Sequence, residues 1–275
     1  MNKNLCFLFI QITILIGVNG QTLSKETVVM ETTMGTMKIK LYEETPLHKA
    51  NFLKLINENS YDSVLFHRVI NEFMIQAGDP LSKRAKSGDS LGHGDLKYTV
   101  PAEFSPNLIH TKGKLAAARE SDVINPKFES SAIQFYIVMG RVRTLEDLKK
   151  YEDRINTTYK TNCAQQFIKS PEGLELKRKY NGFKMAQKND SAELVNQLIQ
   201  QKIKELQEQK PPYKFNETQT KAYTTVGGTP HLDGTYTVFG EVIEGLSCID
   251  KIAAVKTDSR NRPINDIRIK RVFIE

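Results

Sequence analysis

Hydrophobic and polar positions alternate with period two from residue 27 to 41, which puts Met30, Met37, Ile39 and Leu41 on one side of an extended chain around Met34-Gly35. Successive side chains of a strand point to opposite faces, so this stretch predicts an opening β-hairpin with one buried face. The period then changes. Thr45 precedes Pro46, a favoured helix start, and Leu47, Ala50, Leu53, Leu55 and Ile56 recur as on a helical stripe, with an end expected near Asn59. Phe66, Val69, Phe73 and Ile75 next read as a buried strand pair bounded by Asn71 and the turn Gly78-Asp79-Pro80. After a loop rich in Gly and Ser over 87–94, apolar runs at 98–102, 115–118 and 132–138 add short strands. Many short strands separated by turn residues predict a barrel or sandwich.

That pattern breaks at about Arg141 and resumes at residue 222. Between them the chain is charged and favours helix: Leu145, Leu148, Tyr151 and Ile155 are spaced as one helix face, and Leu194, Leu198, Ile203 and Leu206 as another. Pro171 precedes a further helix near Glu172, and Pro211-Pro212 stops the last one. The expected organisation is a leader over 1–20, a first barrel part over 21–140, an inserted helical hairpin or small bundle over 141–221, and a second barrel part over 222–275.

Composition adds a size and an address. A chain of 275 residues with 39% hydrophobic content can bury a substantial core, in one large domain or two small ones. Residues 1–20 differ from the rest: Lys3 is the only charge, an apolar run fills 5–18, and small or polar residues end at Gly20. That is the makeup of a secretory signal peptide cleaved near Gly20, with an uncleaved anchor as the alternative. The protein is therefore expected to be exported. Past this leader the cysteines are Cys163 and Cys248, far apart and without metal-ligand spacing, either free thiols or one disulfide. Asn156, Asn189 and Asn216 each open an Asn-X-Ser/Thr triplet, which matters only where glycosylation machinery exists. Residues 141–222 hold 17 Lys or Arg against 11 Asp or Glu, a net of +6, while the whole chain is +7 and loses Lys3 with the leader. The excess thus sits wholly on the insert, as a solvated helical face or as a surface for an acidic partner. No aromatic–basic interleaving points to nucleic acid.

Arg68 and Gln76 are what a buried strand pair leaves unexplained. The run from Phe66 to Pro80, FHRVINEFMIQAGDP, sets basic Arg68, apolar Phe73 and Met74 and polar Gln76 within nine positions, a half-apolar, half-polar surface on adjacent strands. It resembles the signature segment of the cyclophilins, which are peptidyl-prolyl isomerases. Gln134, Phe135 and Tyr136 resemble a second motif of that family, and residues 227–242, GGTPHLDGTYTVFGEV, another segment of it. The resemblance covers roughly residues 27–140 and 222–275. It implies a mainly β fold, a closed eight-stranded antiparallel β-barrel capped by two helices, here carrying the inserted α-helical module. It also implies a peptidyl-prolyl cis-trans isomerase that needs no cofactor and no metal and acts on proline-containing, unfolded or partly folded polypeptides. Slow X-Pro isomerisation limits folding, so exported chains are the expected substrates, in a periplasm by likeness to bacterial exported cyclophilins, or after secretion. Carried over position by position, Arg68 is the catalytic donor and Gln76 orients it. Phe73, Met74, Tyr136 and Leu232 would hold the proline ring, Ala118, Gln134 and Tyr236 would complete the binding surface, and the backbone of Arg119 would anchor the peptide.

Several positions depart from the best-known members. Arg119 stands in place of an Asn, Tyr136 of a Phe, His231 of a Trp and Tyr236 of a His, and the chain has no Trp at all. The Trp position contributes to cyclosporin binding in the family, so weak inhibition is expected. His67 neighbours Arg68 and therefore falls on the opposite face of a strand, which makes it structural. His48, His93, His110 and His231 lie in separate segments without metal-ligand spacing. The competing reading is a peptide-binding chaperone or scaffold that grips clients through the helical insert. A modular insert implies that deleting 143–220 leaves isomerisation largely intact.

Overall fold

The computed structural model describes residues 27–275, and the expected signal peptide over 1–20 lies outside them. In chain order the described residues form β1 (Thr27–Thr32), β2 (Gly35–Leu41), α1 (Pro46–Asn57), β3 (Arg68–Ile70), β4 (Met74–Ala77), β5 (Thr99–Val100), β6 (Lys114–Ala117), β7 (Ser130–Ser131) and β8 (Phe135–Val138). Four consecutive helices follow, α2 (Leu145–Lys169), α3 (Pro171–Met185), α4 (Asn189–Gln207) and α5 (Glu217–Thr225), then β9 (Val238–Glu244), α6 (Leu246–Ala253) and β10 (Ile269–Ile274).

The opening hairpin pairs Val28 with Ile39 and Met30 with Met37. Thr32 closes its turn, its hydroxyl donating to the Gly35 carbonyl at 2.7 Å and accepting from the Met34 N–H at 3.0 Å. Eight strands join in one antiparallel sheet of order β10-β1-β2-β9-β6-β8-β4-β3, with β5 and β7 as a separate pair. The expected closed barrel is not what forms. Edge strands β3 and β10 are not paired with each other, so the sheet is an open half-barrel, and six helices give a mixed helix-and-strand content rather than a mainly β one. The segment ahead of β3 meets β10 and the chain before it through the isolated bridge of Leu65 with Arg268, backbone bonds such as Phe66 N–H to Ile267 O and Ser63 N–H to Ile269 O, both at 2.9 Å, and the Val272 N–H donating to Asp62 Oδ1 at 3.1 Å, without forming a continuous ladder. In the segment ahead of β3, Asn59 and Ser63 have positive φ, 52° and 68°, outside the extended region of a strand.

Alternation along the central strands creates two apolar faces. Ile75, Ala77, Leu115, Ala117, Phe135 and Ile137 point into the larger core, which also takes Phe52 of α1 and Ile249 and Ile252 of α6. Their neighbours Met74, Ala116, Tyr136 and Val138 point the other way and meet Leu232 and Val238. Helix α1 is rotated from the expected stripe: His48, Phe52, Leu55 and Ile56 are buried, whereas Leu47 is 50% exposed and Ala50 is exposed as well. Those four positions recur at helical spacing, so one of them being a histidine hid the true face. Thr45 makes no side-chain cap; the Glu103 carboxylate does, accepting from the Leu47 and His48 N–H groups, both at 3.0 Å.

Thr144 with Asp147 forms a capping box at the start of α2, and Asn216 with Gln219 does so for α5. Helices α2, α3 and α4 share a small core of Phe167, Leu176 and Ile203 with Val195, Ile199 and Leu206 against it. The expected face of α4 is corrected here, because Leu194 and Leu198 are 67% and 40% exposed. Leu198 lies five residues from Ile203, about 140° round the helix, whereas Ile199 and Val195 step back from it in fours and stay in line. Helix α5 runs across the expected boundary at 221/222. Cys163 and Cys248 are both buried and free, so no bridge joins them. At the insert's root Gly228 has φ 156°, and a Cβ there would sit 2.2 Å from the His110 carbonyl oxygen. Glycine alone lets three segments meet this closely.

Candidate active site

Arg68 and Gln76 are direct partners across the β3–β4 ladder, which brings two side chains eight residues apart to one face. The guanidinium donates to Gln76 Oε1 at 3.2 Å, and Gln76 Nε2 donates to Gln134 Oε1 at 3.1 Å. Gln134 in turn donates to the Gly92 and Gly94 carbonyls at 3.1 and 2.7 Å. This chain of donors fixes the amide of Gln76 with its oxygen toward Arg68. Arg68 also lies 4.0 Å from the Met74 sulfur and 5.9 Å from the Phe73 ring centroid, and no carboxylate is among its contacts. Burial pulls its pKa below the ordinary guanidinium value, yet an arginine stays charged under such a shift.

Arg68, Phe73, Met74, Gln76, Ala118, Arg119, Tyr136, Leu232 and Tyr236 line one pocket of about 100 Å³. The structure thus brings together all but one of the residues singled out in the sequence. Gln134, the exception, sits one layer back as the support of Gln76 and lines an adjoining cavity of about 440 Å³ with Asp95, Glu120 and Glu129. Tyr136 and Tyr236 meet edge to face at 5.9 Å and 79°, forming the aromatic walls. The side chain of Arg119 does not project freely: its guanidinium covers the rings of Tyr236 and Phe128 at 4.4 and 4.7 Å and donates to the Thr235 and Glu120 carbonyls at 2.7 and 2.8 Å. Within the described chain the backbone N–H and C=O of Arg119 take no hydrogen-bond partner.

Two further layers stand behind these walls, and sequence reading missed both. His231 stacks on Phe73 at 5.5 Å and on Tyr151 of α2 at 5.6 Å. Arg143 lies 5.6 Å over Tyr151 and donates twice to the Gly228 carbonyl, at 3.1 and 3.0 Å. Burial, with the nearby charges of Arg154 and Arg143, pushes the His231 pKa down to about 4, so this imidazole is neutral near pH 7. Behind Tyr136, His110 is completely buried, with Nδ1 2.9 Å from Asp233 Oδ1 and Nε2 3.0 Å from the Tyr136 hydroxyl. Tyr223 of α5 donates to Asp233 Oδ2 at 2.6 Å. The only signal available for this network was a histidine and an aspartate without a stated use, flanking segments that match the family.

The arrangement offers a fixed cationic donor in a small pocket whose lining is half polar and half apolar. Nothing in it calls for a nucleophile or a proton relay to substrate. A family model described as cyclophilin type peptidyl-prolyl cis-trans isomerase/CLD matches residues 27–158 and 212–274. A Staphylococcus haemolyticus protein assigned as a peptidyl-prolyl cis-trans isomerase is 28% identical over 249 residues, 90% of this chain and 90% of that protein. A Staphylococcus aureus protein assigned in the same way is 27% identical, covering 90% of this chain and 91% of its own length. Among solved structures, a Cryptosporidium parvum cyclophilin type peptidyl-prolyl cis-trans isomerase superposes with a TM-score of 0.51 at 19% identity, over 91% of this chain and 97% of that one. A family match that spans the sheet on both sides of the insert, and includes every residue of the pocket, means that the chain belongs to the cyclophilin-type peptidyl-prolyl cis-trans isomerase family.

Proposed function

We propose that the protein accelerates cis–trans isomerisation of X-Pro bonds in exported polypeptides, with Arg68 as the catalytic residue. The observation that carries this reading is the Arg68 guanidinium, aimed by Gln76 at the rim of a pocket walled by Phe73, Met74, Tyr136 and Leu232. A related Cryptosporidium parvum structure, with a TM-score of 0.50 and 20% identity, was determined in the presence of the dipeptide Ala-Pro, which suits a proline-sized pocket.

Rotation about an amide bond faces a barrier of about 18 to 20 kcal/mol because the nitrogen lone pair is delocalised into the carbonyl. In the twisted state that lone pair is localised and accepts a hydrogen bond that the planar amide cannot. A guanidinium held at that nitrogen therefore stabilises the transition state more than the ground state, the condition for a higher turnover rate. A charge-assisted hydrogen bond is worth about 1.5 to 3 kcal/mol, whereas a roughly 10⁵-fold acceleration needs about 7 kcal/mol. The remainder falls to the pocket, which grips the ring on one side of the bond while the open backbone groups of Arg119 hold the chain on the other. Export rests on the composition of residues 1–20, and mass spectrometry of the secreted or periplasmic protein tests it by the expected new N-terminus near residue 21.

Exchange NMR on a short Ala-Pro peptide, with wild type beside Arg68→Ala and circular dichroism as the fold check, tests the chemistry. Arg68→Ala is expected to lose about 10- to 100-fold in kcat/KM with its fold intact, the equivalent of one such hydrogen bond. A folded Arg68→Ala with wild-type turnover would remove Arg68 from the mechanism, and a folded wild type without turnover would remove the isomerase.

A further inference from the structure

Tyr136 carries a hydroxyl on a ring that lines the apolar side of the pocket, and a free phenol there would cost that side its character. The structure disposes of that hydroxyl through buried side chains. Asp233 Oδ1 lies 2.9 Å from both the backbone nitrogen and Nδ1 of His110, and its other oxygen takes the Tyr223 hydroxyl at 2.6 Å. A carboxylate only accepts, so Nδ1 of His110 carries a hydrogen, and in the neutral ring that leaves Nε2 as the acceptor. The Tyr136 hydroxyl, 3.0 Å from Nε2, then donates into it and turns away from the pocket. Burial holds the Tyr136 pKa well above its ordinary value, which keeps the hydroxyl in the donor form. The His110 and Tyr136 rings lie nearly parallel, 13° apart with centroids at 6.1 Å.

We infer that Tyr223, Asp233 and His110 are positioning residues that hold Tyr136 by its hydroxyl and so set the width of the substrate pocket. Three of the four groups belong to the sheet side of the molecule, but Tyr223 stands on α5, the last helix before the chain returns to it. The pocket wall is thereby tied to α5, at the junction where the insertion ends, through a hydrogen-bond path of three links. This inference rests on the pocket being the proline site, as proposed above.

A double-mutant cycle of Tyr223→Phe and Tyr136→Phe, both close in shape to the native residues, tests it on the full chain. KM and kcat for an Ala-Pro peptide are read by exchange NMR, and Kd for the same peptide by titration. Tyr223→Phe alone is expected to raise KM and Kd about three- to tenfold, the worth of one neutral hydrogen bond, with kcat changed less than twofold. In the Tyr136→Phe background the same change is expected to have no effect on either constant, because the hydroxyl it positions is gone. Equal effects in both backgrounds would overturn the inference and leave Tyr223 a merely structural residue. Imidazole ¹⁵N spectra give a readout independent of turnover: His110 should show a protonated Nδ1 and an unprotonated Nε2, a pattern blurred in Tyr223→Phe. A wild type that binds the peptide without isomerising it would sink only the isomerase reading, since the cycle is then decided on Kd. A wild type that does not bind it, or an Nε2-protonated His110, would sink the inference.

Discussion

The role proposed for Arg68 requires its aim to be set before substrate arrives, and two side-chain amides and two loop carbonyls set it. The run Arg68, Gln76, Gln134 to the Gly92 and Gly94 carbonyls leaves each amide with one assigned direction. His67, one residue from Arg68, has the opposite fate. Its ring is 4% exposed and neither nitrogen finds a hydrogen-bond partner, so burial pushes its pKa down to about 4, against an opposing pull from Asp79. The fold binds the neutral ring, and the unfolded chain takes the proton first. Stability from this residue is therefore full above about pH 6.5 and is lost as pH falls toward 4, by about 2 kcal/mol at pH 5. Urea denaturation at pH 7.5 and pH 5 is expected to show a shallower loss for His67→Phe than for wild type. His48 and His231, also shifted down, remain in both proteins and cancel in the comparison. Equal losses would mean that His67 stays protonated inside the fold.

Helix α1 shows how one element depends on a residue far from it. It has Pro46 in its first turn but no local side-chain cap, and Glu103 supplies the missing acceptor to two backbone N–H groups while also meeting His48 Nδ1 at 2.6 Å. Phe52 of the same helix sits in the main core against Tyr61, Phe135 and Phe239, so a frayed α1 would be felt there. Glu103→Ala is expected to cost about 2 kcal/mol, a lost cap plus a buried His48 Nδ1 left without its partner while Nε2 keeps Ser130, measured as a lower urea midpoint at unchanged slope. Peptide isomerisation should be unchanged under native conditions, since neither Glu103 nor α1 lines the pocket. A change below 0.5 kcal/mol would show that the cap is dispensable.

For the whole molecule, the insert packs against the supports of the pocket. Tyr151 of α2 backs His231, which backs Phe73 of the pocket, and Arg143 closes this stack while gripping the Gly228 carbonyl at the insert's root. Deleting 143–220 removes both Arg143 and Tyr151 and truncates α5 ahead of Tyr223. The expectation of intact activity therefore changes: such a deletion should raise KM for an Ala-Pro peptide by at least about fivefold, even where circular dichroism shows a folded sheet, as expected when several supports of about 1 kcal/mol go together. Wild-type KM in the folded deletion variant would restore the modular view.

Much of the site was legible because its chemistry is carried by short runs. FHRVINEFMIQAGDP places Arg68 and Gln76 on strands adjacent in sequence, and period-two alternation assigns Met74 and Gln76 to one face. The hairpin of β1 and β2, the start of α1 and the helical character of 145–207 were likewise decided by spacing and by Pro, Thr and Gly at their ends. Other features depend on contacts between residues that spacing does not relate. Sequence could not show that the barrel stays open, because that turns on whether β3 and β10, about 200 residues apart, pair with each other. Nor could it show that Leu194 and Leu198 face solvent, since an amphipathic helix acquires its inward face from its neighbours. The partners of His110, His231 and Tyr136 lie far off in sequence, Asp233 123 residues from His110 and Phe73 farther still from His231, joined by hydrogen bonds and ring stacking that leave no periodic trace. Local backbone preference thus determined the elements and the pairing of Arg68 with Gln76, and only tertiary packing, which brings distant polar groups out of water together, decided what holds the pocket in shape.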